Sequence, residues 1–299
     1  MAAIHSRNRK LSGPVLLAVL LASLSGCGQA PIRESLAEPR QSRNEAASSK
    51  PQTSEDQELL ASAGRFVNGL ENGNIHYSLY LPKDYSSDQL YPLYIHLPGY
   101  EGLYFQGEGM NMLEGFPQAA VSLNPEMIVV SAQLNGWDEQ SAEDTIALTE
   151  SLMDTWSIDP ERVFLQGLSG GGETGSLAVD LRPDLFAGFL AVSSRWDGGW
   201  NNVARAGLPI YLAIAQNDTY YSSAPFAEAY EKLKEAYLQA GWSEEETDQR
   251  LHLDIRDDAW VKSQGYSDAH AAGNAFSQDQ KVMNWLLSQR RTAETNESE

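Results

Sequence analysis

Between residues 62 and 291, short apolar runs alternate with longer segments of mixed character. Ile75–Leu81 (IHYSLYL) alternates apolar and polar positions and stops at Pro82, the period-two pattern of a strand with one buried face. Leu93–His96 (LYIH), Met127–Ala132 (MIVVSA), Val163–Gln166 (VFLQ), Phe189–Val192 (FLAV) and Ile210–Ile214 (IYLAI) are nearly continuous apolar runs, as a strand covered on both faces requires. Leu251–Ile255 reads as a last strand. Ser141–Trp156 has Ile146, Leu148, Leu152 and Trp156 near one stripe, the helical period. Gly170–Leu181, Pro225–Ala240 (opened by Ser222, Ser223 and Pro225) and Gln278–Arg290 (Val282, Trp285 and Leu286 facing inward) complete the predicted helices. Alternating strands and helices predict an α/β fold: a mostly parallel central sheet with helices on both faces.

The two ends break this pattern. Residues 28–60 are rich in Ser, Glu, Gln, Pro and Ala and contain no aromatic residue, so they cannot bury enough apolar surface to offset their ordering entropy. The segment 27–61 therefore reads as a disordered linker, and 292–299 (TAETNESE) as a disordered tail, around one domain over 62–291. At the start, Arg7, Arg9 and Lys10 precede a short apolar stretch, Leu11–Ser25, which ends at Leu24-Ser25-Gly26-Cys27. A basic region, a short apolar core and small residues before a cleavage point form a secretory signal over 1–26. The tetrapeptide resembles the bacterial lipobox, which implies lipidation of Cys27 and attachment to the cell envelope through acyl chains, with the rest of the chain extracytoplasmic.

Charge narrows the partners. Lys and Arg number 21 against 41 Asp and Glu, a formal charge of −20, which argues against nucleic acid, since neutralising phosphates takes clustered cations. It also leaves the lipid anchor as the only membrane attachment expected. One cysteine and five histidines exclude an internal disulfide and argue against a zinc site, and no metal or cofactor is expected.

The most informative motif is Gly167-Leu168-Ser169-Gly170-Gly171, directly after the strand VFLQ. A Gly-x-Ser-x-Gly turn between strand and helix holds the serine in strained backbone with its hydroxyl exposed, and the glycines let the chain pass close to its neighbours. The overlapping Gly170–Gly175 (GGGETG) also fits a dinucleotide loop, but no acid ends the next strand, which runs into Ser193-Ser194. A nucleophilic serine needs a base, and the order Ser…Asp/Glu…His places the acid after a later strand. Ile210–Ile214 leads into Asp218. Of the histidines, His5 leaves with the signal, His76 and His96 precede the serine, and His252 lies inside a strand. His270, in a loop of small and polar residues, remains. The N–H of Gly170 and that of Tyr100, in the loop after LYIH, are the expected oxyanion donors. Trp137, Trp196 and Trp200 lie in loops leaving carboxyl ends of strands, where such sheets bind ligands, and are the expected substrate-pocket walls. Glu173, beside the Ser169 turn, either touches substrate or sits in the first helical turn, and the second reading is favoured. Glu101–Gly107 (EGLYFQG) looks like a tobacco-etch-virus protease site but is read as natural sequence in a loop.

Tyr91–His96, Ile158–Val163 (IDPERV), Gly167–Gly171, Asp218 and His270 together resemble the α/β-hydrolases, in particular bacterial secreted esterases grouped with prolyl-oligopeptidase-like, feruloyl-esterase-like and polyhydroxyalkanoate-depolymerase-like proteins. Two departures stand out: Leu97 and Pro98 separate His96 from Gly99, and glycine follows Ser169 where a bulkier residue is common. The resemblance implies hydrolysis of a small-molecule or polymeric carboxylic ester by a Ser169–His270–Asp218 triad through an acyl-enzyme. The competing functions are a prolyl-oligopeptidase-like peptidase and an inactive surface binding module.

Overall fold

A computed structural model describes residues 53–100 and 115–291. Eight strands form one sheet: β1 Phe66–Asn72, β2 Ile75–Tyr80, β3 Tyr91–Leu97, β4 Ile128–Gln133, β5 Ile158–Leu168, β6 Gly188–Val192, β7 Ile210–Ala215 and β8 Leu251–Arg256. Their order is β1-β2-β4-β3-β5-β6-β7-β8. The β1–β2 and β2–β4 pairs are antiparallel, and every pair from β4 through β3 to β8 is parallel. The helices are α1 Ser54–Ala61, α2 Gly115–Leu123, α3 Glu139–Thr155, α4 Gly170–Leu181, α5 Asn201–Ala206, α6 Ala224–Gln239, α7 Glu244–Arg250, α8 Asp258–Ser263 and α9 Gln280–Leu287.

Alternation along the buried strands divides the core between two faces. Leu93 and Ile95 of β3 and Leu165 of β5 pack with Leu148 of α3, Val179 of α4, Val203 of α5 and Leu233 of α6. Tyr94, Val129, Phe164 and Leu190 point the other way, onto Phe116 of α2 and Val282, Met283 and Leu286 of α9. The sheet is thus buried from both sides, which is why β3, β4, β6 and β7 are buried along their whole length.

Strand order reverses between β3 and β5: from β3 the chain moves to β4 on one side, and from β5 it proceeds through β6, β7 and β8 on the other. The loops leaving the carboxyl ends of β3 and β5 therefore diverge, and an open α/β sheet has its ligand crevice at such a point.

Several expectations change here. Residues 54–61, assigned to the disordered linker, form α1, because Thr53 and Asp56 make a capping box and Leu59 finds a place in the core. The rest of the linker, the signal with Cys27, the protease-like sequence 101–107 and the tail 292–299 lie outside the described residues. β1 went unpredicted: Gly69, at φ 76°, sits in a bulge between Val67 and Leu70 that interrupts its alternation. β5 begins at Ile158, five residues earlier than its apolar run, because Tyr91 pairs with Ile158 before the register shifts. Among the described residues, no helix is long and apolar enough to cross a membrane.

Candidate active site

Ser169 stands where β5 turns into α4, with φ 54° and ψ −126°, a left-handed backbone that a non-glycine residue adopts only under constraint. The constraint comes from β6. The Ser169 N–H donates to the Val192 carbonyl at 2.9 Å, and the Ser169 carbonyl accepts from Ser194 Oγ at 2.6 Å and from the Gly172 N–H at 2.8 Å. The flanking glycines are sterically obligatory: a Cβ on Gly167 would lie 2.4 Å from the Gly171 carbonyl oxygen, and one on Gly171 2.0 Å from that of Leu97. The unusual glycine after the serine has its own cause. A Cβ on Gly170 would fall 2.1 Å from Cε2 of Trp137, so the indole occupies the space a side chain would take.

Three residues distant in sequence meet at this turn. His270 Nε2 is 3.0 Å from Ser169 Oγ, and His270 Nδ1 is 2.9 Å from Asp218 Oδ2. Asp218, just past β7, has a fully buried side chain, and its Oδ1 accepts from the N–H groups of Tyr220 and Tyr221, both at 2.9 Å. Burial alone would raise its carboxyl, but the His270 hydrogen bond and the Tyr221 and Tyr220 amides outweigh burial and hold it below the usual carboxylate range. It is therefore ionised at neutral pH and fitted to orient an imidazole through Nδ1–H. Thr219 Oγ1 donates to Asp268 at 3.1 Å, joining the acid loop to the histidine loop. Tyr220 and Tyr221 lie beside the imidazole, with ring centroids 5.6 and 5.7 Å away.

On the other side of Ser169 lies the loop after β3. A Cβ on Gly99 would sit 3.3 Å from that of Ser169, so the peptide leading into Tyr100 passes directly over the nucleophile. Gly170 is the first residue of α4, where an N–H has no intrahelical acceptor. The Tyr100 ring is exposed and lies 6.2 Å from that of Trp137, so these two and Gly170 share one side of the site.

Trp196 and Trp200, expected in the pocket wall, pack on each other, Trp196 buried and Trp200 half-buried. Trp196 is 8% exposed, crosses Phe189 edge-on and stacks on Trp200 at 5.9 Å, and its N–H donates to the Gly198 carbonyl. The segment that carries them is tied to the flank of α4, since the Asp197 and Gly198 N–H groups donate to Ser176 Oγ and that of Gly199 to Asp180.

Tyr221, which the sequence does not single out, meets Glu173, read there as a first-turn acid, close to the nucleophile. Glu173, on the first turn of α4, is 7% exposed; its Oε1 accepts from the Tyr221 hydroxyl at 2.5 Å and its Oε2 from Arg195 at 3.2 Å. Burial raises the Glu173 carboxyl, and the Tyr221 hydrogen bond and Arg195 charge offset that only in part. Burial, then the Glu173 hydrogen bond, raise the Tyr221 phenol. The only signal in the sequence was an acid placed beside a nucleophile. The other described histidines are occupied elsewhere: His76 lies 3.4 Å from Glu71, His96 is fully buried, 2.5 Å from Gln166 Oε1, and His252 stacks on Tyr211. Among the described residues, no three His, Cys, Asp or Glu side chains gather as a metal site.

A model of the prolyl oligopeptidase family matches residues 132–199, from the end of β4 through the Ser169 turn to the loop after β6. Among solved structures, a thermostable esterase superposes with a TM-score of 0.62 at 20% identity, covering 77% of this chain and 64% of its own, so this chain spans less than two thirds of that protein. The feruloyl esterase module from Clostridium thermocellum, solved with sinapinate, gives 0.53 at 14% identity over 82% and 95%. Acetyl xylan esterase from Aspergillus awamori gives 0.52 at 13% identity over 74% and 100%. No curated protein matches the chain in sequence. At these identities the likeness establishes a shared fold.

Proposed function

We propose, from the premise that this chain has the α/β-hydrolase fold, that it is a serine hydrolase of carboxylic esters working through Ser169, His270 and Asp218. The observation that carries the reading is the bridging imidazole, within hydrogen-bond reach of Ser169 Oγ through one nitrogen and of a buried carboxylate through the other. In the proposed reaction His270 Nε2 takes the Ser169 proton as Oγ attacks the ester carbonyl. The negative charge that develops on the carbonyl oxygen is met by the N–H groups of Gly170 and Tyr100, and Asp218 stabilises the imidazolium. The imidazolium then protonates the leaving alcohol, an acyl-enzyme forms, and a water deprotonated by His270 hydrolyses it.

The substrate is a small-molecule or polymeric ester whose acyl part lies along Trp137 and Tyr100. The esterases among the matched structures favour the ester reading over a peptide-cleaving one. The family match over 132–199 favours the second reading, a prolyl-oligopeptidase-like peptidase. The protein is further proposed to be anchored by lipid on Cys27 and to act outside the cytoplasm; labelling cells with a palmitate analogue checks this, and loss of label in Cys27→Ser is the expected result.

The test of the reaction is turnover of p-nitrophenyl acetate and butyrate together with labelling by a fluorophosphonate. Wild type should hydrolyse the esters and be labelled, and Ser169→Ala should do neither. Turnover undiminished in Ser169→Ala would remove the reading. Peptide substrates cleaved in preference to esters would favour the peptidase.

A further inference from the structure

The three proposed catalytic side chains come from three separate loops, which raises the question of what keeps the loops in register. Asp218–His270 and Thr219–Asp268 join the acid loop to the histidine loop. Neither reaches α4, whose first turn carries the nucleophile. A side-chain link that does is Tyr221 to Glu173, two residues 48 positions apart in sequence.

Its placement is specific. Glu173 is four residues past Ser169, one helical turn along, so a tether there bears on the same turn of helix that positions Oγ. Tyr221 follows Asp218 by three residues and precedes Ser222, which has a left-handed backbone at φ 57°, so the acid loop leaves the site under local strain. The Tyr221 ring lies against the imidazole, its centroid 5.7 Å away, and its hydroxyl donates to Glu173. The phenol thus links the imidazole side of the site to the helix that follows Ser169. Glu173 is held in turn by Arg195, which also pairs with Asp197 at 3.0 Å. Burying a carboxylate is unfavourable unless hydrogen bonds compensate it, and this one spends both oxygens on a chain of contacts that ends beside the imidazole.

We propose that Tyr221, tethered through its hydroxyl to Glu173, is a positioning residue that holds the acid loop and imidazole against Ser169 in attack geometry. This rests on the serine-hydrolase reading and deepens it. Because small displacements of reacting groups cost rate more than binding, losing the hydroxyl should act on kcat and leave KM nearly unchanged.

Tyr221→Phe keeps the ring and removes only the oxygen. The expected result is a fall in kcat of about 10- to 100-fold on p-nitrophenyl butyrate. The rate of fluorophosphonate labelling at Ser169 should fall by the same factor, with KM within about threefold of wild type. Glu173→Gln should fall in the same direction, and the double variant should be no worse than the more damaged single, since both break one tether. Tyr221→Phe that labels and turns over like wild type, or a thermal midpoint that drops while the labelling rate per folded molecule stays unchanged, overturns the proposal. So does a double variant whose losses multiply. If the wild-type chain is neither labelled nor active on any ester, the hydrolase reading fails and takes this inference with it. A labelled wild type with an indifferent Tyr221→Phe removes only the inference.

Discussion

Two serines stand at the carboxyl ends of neighbouring strands with nearly the same strained, positive φ, Ser169 after β5 at 54° and Ser193 after β6 at 45°. Strain is therefore not what separates a proposed nucleophile from a bystander. Ser169 is half-buried and has an imidazole 3.0 Å from its oxygen. Ser193 is fully buried, and its Oγ has no partner among the described residues. A Cβ on Gly273 would lie 2.4 Å from that oxygen, so the turn that follows His270 closes directly over it. The same segment that delivers a base to one serine seals off the other. Left-handed geometry points a hydroxyl out of the strand; what faces it decides what it can do.

The sharpest way to break this contrast is to remove each hydroxyl in turn. Ser169→Ala should lower ester turnover by about a millionfold, the scale of losing a triad nucleophile. Ser193→Ala should retain turnover and melt at least as high as wild type, because an unpartnered buried hydroxyl costs about 1–3 kcal/mol and its removal relieves that cost. Turnover lost with Ser193 as well would mean that the buried serine supports the site in a way its geometry does not reveal.

The loops that carry the tryptophans extend the comparison. Trp196→Ala should cost about 3–5 kcal/mol in urea unfolding, the usual range for truncating a packed aromatic. It should leave KM for p-nitrophenyl butyrate in place. Trp137→Ala should do the reverse, raising KM with a smaller loss of stability, since this indole is half-buried and lies on Gly170. Steady-state kinetics beside unfolding curves separates them, and a KM that moves with Trp196 would return that residue to the pocket.

Gly170→Ala probes the same surface from beneath. Its methyl meets the Trp137 indole and should push either the ring or the Gly170 N–H from its place, lowering kcat by about 10- to 100-fold. Adding Trp137→Ala should recover much of that loss. Failure of the second change to help would show that the backbone, not the ring, had moved.

What could be read from the chain follows from how far each interaction reaches along it. The parallel strands were legible because burial on both faces writes an unbroken apolar run, as in MIVVSA, and the Ser169 turn because its first and last glycines meet each other within five residues, a Cβ on Gly167 falling 2.4 Å from the Gly171 carbonyl oxygen. Asp218 and His270 followed from chain order and from having few rivals. β1 was not legible, since a bulge at Gly69 breaks its period. The fate of Trp196 and Trp200 hung on Ser176 and Asp180, on a helix about twenty residues upstream. Glu173 read as a helix-start acid because nothing local says that Tyr221 will reach it. Pattern reports which face a residue turns to the core; it does not report which distant side chain will meet it there.

Glu173 offers the smallest and most diagnostic effect. Its carboxyl is raised in the folded protein, first by burial, so folding favours its protonated form. An acid shifted this way leaves the protein most stable below the unfolded carboxylate range, and that advantage is lost as pH rises through the range and on to the shifted value. Glu173→Gln removes the titration while keeping the shape, and Arg195, half-exposed and paired with Asp197, is not stranded by the change. The thermal midpoint of the variant at pH 8 should therefore equal or exceed that of wild type. The difference should shrink as pH is lowered through the carboxylate range, because the wild-type side chain then becomes neutral too. Combined with the fall in kcat expected when its hold on Tyr221 is weakened, this would make Glu173 a residue kept at the expense of stability. A midpoint that falls at pH 8 and recovers at no pH would instead make it a structural ion-pair partner of Arg195.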